Sequence, residues 1–304
     1  MVRTPAGRLA RIGGLVGLVA MTATGCSGEE VLRFGWPEAV TPQGERMATF
    51  WTWATIAALI VGAITWTLIL WPVVAHRKRG DKLPRQFQYN HFLEFFYTGI
   101  PAIMVVILFY FTVTTQNYVL AKSERPDLQV DVLAFQWNWD FSYHGYKTLD
   151  GDEIHTIGSS TEIPILVLPT GKTIRYDLRS KDVIHSFFVP EFNFKRDVFP
   201  MPEKNNQDGV FENSIDREGS FVGRCAELCG IYHSAMNFEV RALTEFRFDQ
   251  YISFRQKVNP TTGRTYTTAE ALAEVQKVDP SCGQLCSRLA TTTTPFDTKR
   301  NASR

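Results

Sequence analysis

A chain of 304 residues could hold two ordinary domains, yet much of this one goes to apolar runs that no soluble core requires, which leaves room for a single soluble domain. A formal net charge of +1, with no basic stripe interleaved with aromatics, excludes nucleic-acid binding by bulk electrostatics. No P-loop, GxGxxG turn or nucleophile elbow occurs.

Arg3, Arg8 and Arg11 precede a short apolar segment, Ile12 to Gly25, that ends in Ala23-Thr24-Gly25-Cys26. A basic flank, an apolar core too short to span a bilayer and small residues before a cut site describe a secretory signal peptide over residues 1–25. Cys26 after Gly25 resembles a bacterial lipoprotein processing site, with Ala23 where a larger aliphatic residue is usual. Cleavage there leaves a diacylglycerol-modified cysteine, the alternative being an ordinary leader. Residues 26–46 then form an exported segment.

Met47 to Val74 contains no charged residue and is dense in Trp, Ile, Leu and Ala, so a transmembrane helix is expected over residues 47–75. Trp51, Trp53 and Trp71 lie towards its ends, where amphipathic rings favour the bilayer interface. A second uncharged run, Phe95 to Ala121, with Pro101 near its start, predicts another span over residues 92–121. The loop between them, residues 76–91, carries five Lys or Arg against one Asp within His76 to Arg85. Such an excess keeps a short loop cytoplasmic and puts both chain ends outside a bacterial plasma membrane. Glu94 falls at the inner end of the second span, where an ionisable group is costly unless it faces protein, water or headgroups.

Beyond Lys122 the composition changes to short β-rich runs punctuated by Gly and Pro, which predicts an antiparallel sandwich or Greek-key barrel over residues 125–257. Val130 to Phe141 is one β-rich run. The other strand candidates are Ile163 to Leu168, Thr173 to Leu178, Asp182 to Val189, Gly209 to Ile215, Ser220 to Arg224 and Asn237 to Leu243. Phe246 to Lys257 has helical spacing. Residues 258–304 form a polar, Thr-rich extension in which Cys282 and Cys286 read as an exported disulfide, and Ala290 to Pro295 as a flexible or partner-ordered stretch.

The chemistry concentrates in Cys225 to Met236, where Cys225, Cys229, His233 and Met236 fall within twelve residues. Soft sulfur donors select copper(I), zinc or iron–sulfur clusters, and a Cys, a His and a weak Met on one loop point to electron-transfer copper. A disulfide or a closed zinc site would use the thiols but has no role for a methionine. Two thiols four residues apart can bridge a pair of copper ions. Each ion then needs an imidazole, and His185, forty residues before Cys225 at an apolar strand edge, is the candidate for the second.

These residues together resemble subunit II of the haem-copper cytochrome c oxidases, of the bacterial type with an exported leader, over about residues 45–257. The resemblance implies an α+β membrane protein, a two-helix transmembrane hairpin followed by a cupredoxin-like sandwich that holds a dinuclear copper centre, CuA. It implies Cys225 and Cys229 as bridging thiolates, His185 and His233 as terminal imidazoles, Met236 as a weak axial ligand and the Glu227 carbonyl as the other. It further implies Mg2+ at the Glu227 side chain, facing subunit I. Trp137, in Gln-Trp-x-Trp, matches the aromatic residue through which electrons enter from a c-type cytochrome. Glu94, seven residues before Pro101, matches the carboxylate at the mouth of the proton path called the K channel.

The implied function is that of the electron-accepting subunit of an aa3-type, proton-translocating oxidase. Electrons pass to haem a in subunit I, and oxygen is reduced to water there. Two departures bear on the donor: Lys181 stands beside Asp182, and Phe141 to Tyr146 lacks the expected acidic residue and contains His144. Like charge on the rim weakens steering of a soluble basic cytochrome, so a membrane-held c-type cytochrome touching residues 144–160 and the tail is the partner expected. The alternative of a different class is a membrane-anchored copper-binding or copper-delivery protein. A quinol-oxidase subunit II lacks the copper ligands, and nitrous oxide reductase adds a His-rich propeller absent here.

Overall fold

The computed structural model describes residues 27–78, 80–81 and 85–294. The leader, the Cys26 processing site and the residues after 294 lie outside the described residues. The chain divides into two compact units, one of residues 27–37 and 48–92 and the other of residues 38–47 and 93–294.

After a one-turn helix α1 (Gly28–Leu32), closed by a Ser27/Glu30 capping box, come two long helices, α2 (Pro42–Ala75) and α3 (His91–Val119). At 1.5 Å per residue they measure about 51 and 44 Å, more than the roughly 30 Å hydrocarbon core of a bilayer. Both are long and apolar enough to cross a membrane. Their large apolar side chains stand exposed, Trp53, Leu68 and Val106 among them, which suits contact with lipid or partner helices rather than water. The first helix begins at Pro42, before the uncharged run. Its opening turn is capped by Thr41 and belongs with the β-domain, where Gly44 is buried against the Phe192 carbonyl.

The β-domain is two five-stranded sheets facing each other. One sheet runs β3-β2-β1-β5-β8, from β1 (Leu128–Phe135), β2 (Asn138–Lys147), β3 (Glu153–Ile157), β5 (Ile174–Ser180) and β8 (Val210–Asn213). The other runs β4-β10-β9-β6-β7, from β4 (Ile165–Pro169), β6 (His185–Val189), β7 (Phe194–Val198), β9 (Gly219–Cys225) and β10 (Asn237–Leu243). The sheets are mixed: β1 pairs parallel with β5 and β4 parallel with β10, while the remaining neighbours are antiparallel.

An aromatic layer joins the sheets. Trp139 on β2 meets Phe238 on β10 at 5.1 Å and Phe187 on β6 at 6.1 Å, and Tyr176 stacks on Phe211 at 4.5 Å and also meets Phe187. Alternation along β2 sends Trp139, Phe141 and Tyr143 inwards and Asn138, Asp140 and Ser142 outwards. The β-rich run Val130 to Phe141 is therefore two strands joined by a turn at Gln136-Trp137, which leaves Trp137 outside the core while Trp139 is fully buried.

Three elements depart from the sequence expectation. β3 and β7 form where loops or no strand were expected, and residues 144–160 are chiefly the hairpin of β2 with β3 rather than a loop. In the tail, α5 (Thr268–Val278) follows α4 (Glu245–Arg255), and both helices bury faces spaced at helical intervals, such as Phe248, Tyr251, Ile252 and Arg255. The Cys282–Cys286 disulfide forms as expected. Thr291 and Thr292 are held by this chain itself: their amides donate to Glu239, which lies fully buried beside Arg241, and Arg241 donates in turn to the Ser287 and Leu289 carbonyls. A buried carboxylate and guanidinium require such partners, and the polar tail supplies them.

At the start of the domain Arg175 ties Glu212 and the Ser123 carbonyl together, and the Ser123 amide donates to Glu212 at 2.8 Å. Burial raises the Glu212 pKa, but the amide and the guanidinium outweigh it and hold the group below its ordinary value of 4.5. A depressed carboxylate stabilises the fold above its unfolded pKa, and that contribution is lost as pH falls through the folded pKa. Chemical denaturation followed between neutral pH and pH ~3 should show wild-type stability falling in the acid range, and Glu212→Gln, less stable at neutral pH, with a flatter profile there.

Candidate metal centre

The pairing of three strands brings the sulfur and nitrogen donors together. β6 lies antiparallel to β9 with Phe187 opposite Cys225, so His185, two residues earlier on β6, stands at the sheet end where β9 finishes. The chain then loops through residues 226–236 and returns as β10, antiparallel to β9. The base of the loop is closed by the Cys225 amide on the Met236 carbonyl at 3.0 Å and the Ala226 amide on the Ser186 carbonyl at 3.1 Å. A 3₁₀ turn, His233–Ala235, aims His233 back towards the cysteines.

Cys225 and Cys229 are free thiols, both buried, with sulfurs 3.7 Å apart. That is far beyond the roughly 2.05 Å of a disulfide. His185 Nδ1 lies 3.8 Å from Cys225 Sγ, and His233 Nδ1 lies 3.6 Å from Cys229 Sγ. Met236 Sδ is 3.8 Å from Cys229 Sγ, and the Glu227 carbonyl oxygen is 3.2 Å from Cys225 Sγ. Each of the other four donors singled out in the sequence thus lies within 3.8 Å of one of the two sulfurs. Glu94 stands apart, in the first turn of α3.

Electrostatics favour a cation here. Burial raises the Cys225 pKa, but hydrogen bonding to His185, then to backbone at Glu227 and Ser186, brings it down to about 7. Burial followed by the charge of Cys225 pushes Cys229 up to about 12. One thiol ionises readily and the other resists while its neighbour is charged; positive charge between the sulfurs removes that conflict.

Two residues that the sequence did not mark as part of the site position the donors. Asp182 Oδ1 lies 2.8 Å from His185 Nε2, which fixes the imidazole with Nε2–H towards the carboxylate and the Nδ1 lone pair towards the sulfurs. Asp182 Oδ2 accepts the Gln136 amide at 2.7 Å, and Gln136 Nε2 donates to the Cys229 carbonyl, also at 2.7 Å. Trp137 donates to that same carbonyl from Nε1 at 3.1 Å and meets Tyr232 edge-on at 4.9 Å. A carboxylate three residues before a candidate histidine was the available signal for Asp182. Gln136 carried none, because its role depends on the turn between β1 and β2.

A sandwich that gathers two free thiols, two imidazoles and a thioether at one end, in a chain with two helices of membrane length, has the donor set of a soft-metal site in a protein of the membrane-anchored class. A family model described as cytochrome C oxidase subunit II, periplasmic domain, matches residues 128–243. A probable cytochrome c oxidase subunit 2 of Nocardia farcinica is 44% identical, covering 98% of this chain and 91% of that one. The cytochrome c oxidase subunit 2 of Mycobacterium tuberculosis is 41% identical, covering 94% of this chain and 88% of that one. Among solved structures, the periplasmic domain of subunit II of cytochrome oxidase from Bradyrhizobium japonicum is 25% identical with a TM-score of 0.36, covering 43% of this chain and 95% of that one. The chain belongs to the cytochrome c oxidase subunit II family, and so is a subunit of a haem-copper oxidase.

Gly230, at φ +121°, lets the loop pass under Trp137: a Cβ there would sit 3.1 Å from two atoms of the indole and 3.2 Å from Gln136 Nε2. Gly230→Ala should cost about 1–3 kcal/mol and shift the Trp137 contribution to fluorescence. Gly263→Ala, also at positive φ but with open space around its Cβ, should cost stability through backbone strain alone and leave the emission unchanged. Equal spectra for both variants would contradict the packing of Trp137 on this loop.

Proposed function

We propose that His185, Cys225, Cys229, His233, Met236 and the Glu227 carbonyl hold a dinuclear copper centre of the CuA type. The observation that carries this reading is the pair of buried, unbonded sulfurs 3.7 Å apart, each with its own imidazole nitrogen. Such a centre, when bound, supplies one-electron relay with little rearrangement, because the charge change is spread over two metals and two thiolates.

The chain's own residues do the rest. The thiolates and imidazoles fix the metal positions, Asp182 holds the His185 tautomer, and burial by Trp139 and Phe187 limits water at the sulfurs. Trp137, half-buried and bonded to the Cys229 carbonyl, is the surface contact through which an electron arrives from a c-type cytochrome. The electron leaves for haem a in subunit I of an aa3-type oxidase, where oxygen is reduced to water and protons are pumped. The Glu227 carboxylate, half-buried and without a partner among the described residues, serves a Mg2+ at the interface with subunit I. The membrane is the bacterial plasma membrane, with the loop between α2 and α3 cytoplasmic, both termini outside, the leader at residues 1–25 removed and Cys26 lipidated. The donor is a membrane-held c-type cytochrome.

Copper-loaded full-length protein should bind two coppers per chain and give an electron paramagnetic resonance spectrum of one electron shared equally by both nuclei. A spectrum localised on one copper would overturn the reading in favour of a copper-delivery protein. Cys229→Ser should abolish the shared spectrum, and Asp182→Asn should retain it with about 10–100-fold weaker copper binding. In the assembled oxidase, Glu94→Ala should slow proton uptake and turnover while leaving the copper spectrum unchanged; wild-type turnover would remove Glu94 from the proton path.

A further inference from the structure

On the outer face of the β3-β2-β1 sheet, Asp131, His144 and Glu153 converge from three neighbouring strands. His144 Nδ1 lies 3.7 Å from Asp131 Oδ2 and 3.5 Å from Glu153 Oε1, and the three donor atoms all lie within 4.8 Å of one another. Those separations are too long for good N–H···O hydrogen bonds, which run about 2.7–3.2 Å. They fit another arrangement. An ion bound tetrahedrally at 2.0–2.2 Å holds its ligands about 3.3–3.6 Å apart, and the two His144 separations, 3.5 and 3.7 Å, stand close to that spacing with the two carboxylates within 4.8 Å of each other.

We propose that Asp131, His144 and Glu153 form a second metal site, for a divalent cation of the zinc type, with water in the fourth position. The chemistry of the donors selects the class: one imidazole nitrogen with two carboxylates suits zinc and its first-row neighbours, whereas magnesium and calcium take all-oxygen sets. Charge agrees, since two carboxylates face one imidazole and, among the described residues, neither pairs with a lysine or arginine. The remaining polar contacts are long: Gln129 Nε2 to Asp131 Oδ1 and the Gly145 amide to Glu153 Oε1, each 3.4 Å.

The site is anchored from behind and open in front. Each ligand's neighbour on its own strand, Val130, Tyr143 and Ile154, is fully buried, and the β2–β3 register shifts between Ser142 and Lys147, the stretch that carries His144. The ligand side chains are 42, 59 and 36% exposed, which lets an ion in from solution. The site uses no thiol and lies on the sheet opposite the one whose strand β9 ends at Cys225.

The test adds zinc alone to the full-length protein in detergent, removes free metal by dialysis, and counts bound zinc in wild type, Cys229→Ser, His144→Gln and Glu153→Gln. Wild type and Cys229→Ser should each hold one zinc equivalent more than their counterparts carrying His144→Gln, and Glu153→Gln should lose the same equivalent. Cobalt as a probe should give a d–d spectrum, free of thiolate charge transfer, that disappears in His144→Gln. All three ligands are surface side chains, and unchanged melting of the apo variants would show that folding is not at issue. Equal zinc content in Cys229→Ser with and without His144→Gln would overturn the proposal.

Discussion

Two thiols confined 3.7 Å apart, neither bonded to the other, are the constraint around which this domain is arranged. Left to themselves in an oxidising compartment, adjacent thiols form a disulfide, as Cys282 and Cys286 do at the same four-residue spacing. The difference lies in the backbone. Cys225 is pinned as the last residue of β9 by its pairing opposite Phe187 and by the Met236 carbonyl, and the loop carries Cys229 past it under Trp137. Each sulfur is then paired with an imidazole instead of with its twin.

The core exists to keep that end of the sandwich still. Trp139, Phe187 and Phe238 interlock between the sheets directly behind His185, which is itself fully buried and meets Trp139 at 6.3 Å. Outside this layer a polar chain from His185 through Asp182 and Gln136 to the Cys229 carbonyl ties the β1–β2 turn to the loop. Two tryptophans two residues apart thus do opposite work. Strand alternation buries Trp139 as a wall, and the turn before it leaves Trp137 at the surface in contact with the loop backbone.

Much of this was legible in the sequence because the signals were local. An uncharged apolar run of membrane length, two cysteines with a histidine and a methionine on one loop, and the Cys-x3-Cys of the tail each declare themselves within a few residues. Asn237 to Leu243 was placed to the residue. What was not legible depended on distant pairing. β3 and β7 are short, partly exposed strands, one opening on Glu153 and the other carrying Lys195, Arg196 and Asp197 in a row, stabilised by neighbours rather than by their own composition. The parallel pairings of β1 with β5 and β4 with β10 have no sequence signature. α5 hid in a Thr-rich tail, although Thr267 and Glu270 make a capping box. The hold on Thr291 and Thr292 by Glu239 joins residues more than fifty apart and follows from burial alone.

On the proposed reading, Cys225 and Cys229 would together hold two copper ions rather than one. X-ray absorption at the copper edge of the loaded, full-length protein distinguishes the two cases, because backscattering separates sulfur, nitrogen and metal neighbours. A dinuclear centre held by these residues should give a short copper–copper vector together with sulfur and imidazole neighbours. A spectrum with no metal neighbour, or with both sulfurs on a single isolated copper, would contradict it.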